Sequence, residues 1–284
     1  MPGVIRDPFC PVRLGRQRRS DRRRSNGADL QDFSGAGTLI LGSGGTLYDL
    51  SGGCADTDPA VFANLDASGQ RLTLVNSENT SFTGSITASE IEKTGQGTLL
   101  LNTGDAGAVS VSALAVSAGR LNIQGGMTGD LTVENAVFSP GDPVGKTEIG
   151  GVFALRSDGV LRLEISGTEP MMNDMLIVGD TLDFDDGQIF LEFAADSLLN
   201  PSDQFSVVLS GKNSDTLKET IVGRFADSGI FENLEYVQLT TGDYAGRYAV
   251  TGMLARPADS LPEPVAWVLL ILGSFGMFCC RKKK

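Results

Sequence analysis

From about residue 33 to residue 251 the chain alternates apolar and polar positions in short runs: GTLILGS, QRLTLVN, GTLLLNT, GRLNIQG, GDLTVEN, GVLRLEI, MLIVGD and QIFLEF. Alternation with a period of two over four to six residues puts one side of a strand in a core and the other in water. Gly, Asn, Asp and Ser separate the runs and mark turns. No stretch before the C-terminal tail carries the period of an amphipathic helix of three or more turns. The pattern therefore predicts an all-β protein and argues against βαβ units and their nucleotide sites.

The runs also repeat. Gly35-Ala36-Gly37-Thr38-Leu39-Ile40-Leu41 returns as Gly95-Gln96-Gly97-Thr98-Leu99-Leu100-Leu101, and looser copies begin at Ser68-Gly69, Ala118-Gly119 and Asp158-Gly159. Intervals of roughly two dozen residues suit one coil of a right-handed parallel β-helix (solenoid), which buries its inner residues only by stacking on its neighbours. Gly at each corner supplies the positive φ of the turn. Leu99, Leu101, Leu121, Ile123, Leu161 and Leu163 are expected to stack in columns along one core. A sandwich of two sheets is the other architecture that fits short strands at this spacing.

Composition narrows the chemistry. There is no histidine, which removes the commonest acid/base group and metal ligand. The net charge of −12 includes an Arg-rich start and a basic end, so the body between them is strongly acidic, which disfavours nucleic acid as a partner. Cys10, Cys54, Cys279 and Cys280 form no disulfide framework. Residues 1–33 read as a basic, disordered or mis-assigned start. They lack the apolar stretch of a signal peptide, so export is expected to depend on a signal peptide encoded upstream of Met1 or in another frame over the Arg-rich stretch. Asp180, Asp183, Asp185 and Asp186 are the one carboxylate group with a conceivable Ca²⁺ role, but their spacing matches no known loop and they read as solvated turn acids. Ser43 to Thr46 lacks the lysine and helix of a phosphate loop and reads as a turn. No cofactor, metal or catalytic residue is expected.

The stretch IEKTGQGTLLLNTGDAGAVSVSALAVSAGRLNIQGG, Ile91 to Gly126, resembles the autotransporter-associated β-strand repeat of secreted bacterial β-helical proteins. Those repeats read Lys-x-Gly-x-Gly-Thr-Leu-x-Leu, a loop, then a strand ending in Ala-Gly-x-Leu. The following FSPGDPVGKTEIGGVFALRSDGVLRLEISG and NDMLIVGDTLDF are similar to the part of such proteins where a Pro-Gly turn precedes further coils and an Asp begins a strand near the end of the ladder.

The chain closes on PEPVAWVLLILGSFGMFCCRKKK. Val265 to Cys280 is an uncharged run whose helix would be about 24 Å long, short of a bilayer core of about 30 Å but within reach of thinning and snorkelling lysines. Arg281, Lys282, Lys283 and Lys284 form a basic stop retained in the cytoplasm, which puts the acidic body outside, and Trp267 sits where an aromatic belt would lie. Pro262-Glu263-Pro264, one short hydrophobic helix and a terminal basic cluster resemble the PEP-CTERM sorting signal of Gram-negative bacteria. That resemblance implies an exosortase as partner, passage through the inner membrane, and release near Pro262, Glu263 and Pro264 to the cell surface or extracellular matrix, with an extracellular polysaccharide as a further partner.

The domain expectation is a basic start at 1–33, a β-helix repeat domain at 34–251, a linker at 252–261 and the sorting signal at 262–284. The expected function is that of a non-enzymatic structural or adhesive protein. The alternative is a polysaccharide-active lyase or glycosidase carrying the same signal.

Overall fold

A computed structural model describes residues 27–29, 35–40, 45–48, 60–103, 108–141, 143–193, 197, 199–200, 202–225 and 231–254. Strands dominate, and among the described residues the one α-helix is the short Lys218–Val222. The all-β expectation holds for these residues.

The strands line up in three parallel ladders. The first runs Thr80–Phe82, Thr98–Asn102, Arg120–Met127, Val137–Pro140, Val160–Ile165 and Gln188–Phe193. The second joins Ile86–Thr94, Ala108–Ser110, the end of Arg120–Met127, Lys146–Ile149, Met175–Val178 and Gln204–Ser210. The third runs Ala60–Val75, Ile86–Thr94, Ala113–Val116, Asp130–Val133, Phe153–Leu155 and Leu182–Phe184. Parallel register stacks like positions on like. Leu99, Leu121, Phe138, Leu161 and Ile189 therefore form one column, each paired with the next and each fully buried. Leu101 pairs with Ile123, and Leu163 with Leu191, so the six expected inward positions are all buried in a single core. Each such side chain contributes about 1.5–3 kcal/mol by leaving water. Phe138, Phe153 and Phe184 continue the contact across the core, with ring centroids 5.5 and 6.0 Å apart.

The corners after the third ladder need a left-handed residue. Gly95 (φ 83°) and Gly119 (φ 69°) supply it first, and Asn135 and Asp158 (φ 51° each) supply it later. The sequence repeat pointed to Gly159 at the last of these corners. The positive φ belongs to Asp158 instead, since short polar side chains tolerate that region. Gly159 is required for another reason: a Cβ there would lie 2.5 Å from the Val133 carbonyl oxygen.

The ladders do not continue to residue 251 as the repeat reading expected. Gln204–Ser210 pairs antiparallel with Tyr248–Leu254, which pairs antiparallel with Phe231–Gln238. The longer strands and their Gly-closed hairpin, with Gly242 and Gly246 at φ 81° and 87°, favour local pairing over another return to the ladder. The hairpin lays Leu239 and Tyr244 against a second apolar cluster of Met175, Ile177 and Val208.

Candidate functional site

The sequence-predicted processing residues Pro262, Glu263 and Pro264, the span Val265 to Cys280 and the basic stop Arg281 to Lys284 lie outside the described residues. No helix among the described residues is long and apolar enough to cross a membrane. The acidic turn is described. Arg156 forms ion pairs with Asp183 and, at 3.8 Å, with Asp185, while Lys212 reaches Asp180 at 3.6 Å. Side-chain cations of the chain itself serve these carboxylates, and no group of three or more metal-ligating side chains occurs among the described residues.

The chemistry that the fold does concentrate lies in two fully buried ionisable groups that bond to the main chain. Lys93 is on the strand Ile86–Thr94, two residues after the inward Ile91, and is itself fully buried. Parallel register places it between Leu74 and Val116, inside an apolar column. Its Nζ leaves that column at the corner and donates to the carbonyl oxygens of Gly95 (2.8 Å), Gly97 (2.8 Å) and Ala118 (2.7 Å). Three donors meet three acceptors, so the ammonium is satisfied without a carboxylate. Two successive corners are thereby tied by one side chain. Burial pushes the ammonium from 10.5 down to about 8, and charge-assisted bonds to carbonyls are the compensation for that burial. Gly119 must lack a side chain here, because a Cβ would stand 2.6 Å from Nζ and 2.5 Å from the Gly95 carbonyl oxygen. The spaced elements Lys-x-Gly-x-Gly and Ala-Gly are thus parts of one clamp.

The second charge is Asp174, also fully buried, at the entry to the strand Met175–Val178. Its two carboxyl oxygens accept from the backbone N–H groups of Gly145 and Glu164, each at 2.9 Å. Gly145 belongs to the turn that follows the Pro-Gly pair, and Glu164 to the strand Val160–Ile165. Burial raises the Asp174 carboxyl to about 8, the two N–H donors pull it down, the Glu164 carboxylate raises it and the Arg120 guanidinium lowers it. Next to it, Asn173 makes five bonds. Its Oδ1 accepts from Ser166 (2.8 Å) and Gly167 (3.0 Å), and its Nδ2 donates to the carbonyls of Gly167 (3.0 Å), Glu169 (3.1 Å) and Ser206 (2.9 Å). The excursion from Ser166 to Asn173 is therefore closed on itself and pinned to the strand Gln204–Ser210.

On the first ladder, partly buried arginines converge on Glu164, which is itself buried. Arg162 pairs with Glu164 at 3.3 Å and with Glu192, and Arg120 approaches Glu164 at 3.9 Å and donates from Nε to Asn122 Oδ1 at 2.7 Å. Arg162 thus engages both Glu164 and Glu192.

Sequence reading missed Lys93, Asn173 and Asp174 as working residues, although it quoted the motifs that contain them. Continuing the alternation of Ile91 by two residues would have found the lysine on the inward side. No local signal gives the partners of Asp174, which come from a distant turn.

No protein-family model, curated protein or solved structure matches this chain.

Proposed function

We propose that the chain is an exported, non-enzymatic structural or adhesive protein of the cell surface or the extracellular polysaccharide matrix, built as a right-handed parallel β-helix and sorted by an exosortase acting near Pro262, Glu263 and Pro264. The observation that carries this reading is the use of the buried ionisable groups. Lys93 is committed to three main-chain carbonyls and Asp174 to two main-chain N–H groups, so both reinforce the ladder. The three parallel ladders with one shared core support the solenoid, since a sandwich would pair neighbouring strands antiparallel. The basic cluster after the apolar run supports an outward-facing body held at the inner membrane until processing.

The test is expression of the full chain in a Gram-negative host that produces an exosortase, with the C-terminus of the mature protein measured by mass. Release of a form ending near Pro262, lost in Glu263→Ala and Pro264→Ala, is the expected result. Unchanged release from both variants removes the sorting role. Liberation of reducing ends or unsaturated products from a polysaccharide panel would replace the structural role with an enzymatic one.

A further inference from the structure

Parallel ladders end in strands whose outer N–H and C=O groups point at nothing, and such an edge templates the next strand. Three separate devices close the C-terminal end of this one. The strand Leu182–Phe184 pairs with Phe153–Leu155 on one side. On its other side the Leu182 N–H donates to Asn213 Oδ1 and Asn213 Nδ2 donates to the Leu182 carbonyl, both at 2.9 Å. A side-chain amide here reproduces both bonds of a neighbouring strand. The carbonyls that follow, of Phe184 and Asp185, accept from Arg224 Nη2, the first at 3.2 Å. In the first ladder, Ile189 donates its N–H to the Arg224 carbonyl at 3.0 Å and forms a single parallel bridge with Phe225. Ile221, fully buried, roots this segment in the core.

The second ladder is turned aside into the antiparallel strands, whose outermost member, Phe231–Gln238, is itself blunted. Its register shifts between Glu232 and Glu235, Asn233 takes a left-handed φ of 54°, and both glutamates are exposed. A bulge with charges on an outer strand discourages further pairing. At the opposite end, among the described residues, Gly27–Asp29 pairs only with Gly45–Tyr48, and Gly35–Ile40 only with Ala60–Val75. Those strands carry the same parallel hydrogen-bonding pattern that the C-terminal end would offer.

We infer that the segment from Asn213 to Phe225 is a cap that keeps the end of the ladder from accepting a second copy of this chain head to tail. Such a contact is heterologous and does not close, so an uncapped chain grows into a filament.

The experiment uses the full chain in detergent and the double variant Asn213→Ala/Arg224→Ala, with Leu121→Ala as a control destabilised in the core far from the cap. Sedimentation is followed over a hundredfold range of concentration, and pellets are examined by fibre diffraction. The expected result is a wild-type chain that does not elongate, a control that at most precipitates without order, and a double variant that forms linear assemblies with a spacing of about 4.8 Å along the fibre. A double variant that does not elongate at any concentration, or that precipitates as the control does, overturns the inference. Asn213→Asp keeps the acceptor and loses the donor, so it is expected to assemble at concentrations between those of wild type and double variant. If the double variant does not fold, Asn213→Asp alone decides, and its failure to elongate is equally fatal.

Discussion

Lys93 and Asp174 solve the same problem with opposite charges. Each sits fully buried where one strand-and-turn segment meets another. Lys93 brings three donors to a corner where three carbonyls converge, whereas Asp174 brings two acceptors to the N–H groups of a turn and a strand. The difference follows from the local backbone. The carbonyls of Gly95, Gly97 and Ala118 converge at the corner, and the three donors of a lysine ammonium match them one for one. At the end of Val160–Ile165 the Glu164 N–H instead donates to the Asp174 carboxyl and the Glu164 carbonyl accepts from the Asp174 N–H, so Asp174 pairs that side of the strand. A buried charge here is a backbone partner that happens to be a side chain.

The largest effect that separates the two sites is expected at the neighbour of Asp174. Asn173→Ala removes five hydrogen bonds and strands buried groups, so it is expected to cost about 3–5 kcal/mol, read as a fall in the urea midpoint at unchanged slope. An effect below about 1 kcal/mol would mean that water replaces the amide and that the excursion is not pinned.

Lys93→Met keeps the apolar stem and deletes the ammonium. The Gly97 carbonyl retains the Arg120 N–H at 3.3 Å, while the clamp between the two corners is lost. The expected loss is about 2–4 kcal/mol. Gly119→Ala is expected to fall in the same range and to add in large part to Lys93→Met, because the left-handed φ and the clash of its Cβ with the Gly95 and Gly97 carbonyl oxygens remain when the ammonium is gone. A Gly119→Ala cost that vanished in the Lys93→Met background would place the whole clash on the ammonium.

The two charges also predict opposite responses to pH. Asp174 is raised from 3.8 to about 8, so its folded form binds the extra proton, and its contribution is fully present below about pH 4 and is lost as pH rises towards 8. Lys93 is lowered from 10.5 to about 8, so between 8 and 10.5 the unfolded chain binds more protons and stability rises with pH. The slope from either group is at most about 1.4 kcal/mol per pH unit. Together they place a minimum near pH 8. Asp174→Asn should flatten the acid side of the curve and Lys93→Met the alkaline side, each leaving the other side intact. A variant that flattened both would show the two sites to be coupled.

The smallest effect is expected away from either site. Lys146 and Glu148 make an ion pair at 2.6 Å, but both side chains are about half exposed, and Lys146→Ala is expected to change stability by less than about 0.5 kcal/mol. A larger loss would mean that exposed charges also hold the ladder.

The strands and the inward column of Leu99, Leu121 and Leu161 were legible because a period of two is a local property, and the Gly corners because only a few residues accept a positive φ. The partners of Lys93 and Asp174 were not. Lys93 bonds a carbonyl 25 residues on, and Asp174 an N–H 29 residues back. Such pairs exist only once the parallel strands have come together. The turn to antiparallel pairing after Gln204 was hidden for a related reason, since an alternating strand reads the same whichever neighbour it pairs with.

What the sequence determined alone is therefore the all-β character, the inward face of each strand and the corners between them, all set by steric and hydrophobic preferences acting over a few residues. The tertiary structure decided which strands meet, where the ladder ends and which polar side chains turn inward. A charge is stable in the core only where unpaired backbone groups converge on it, and that convergence is created by segments far apart in the chain.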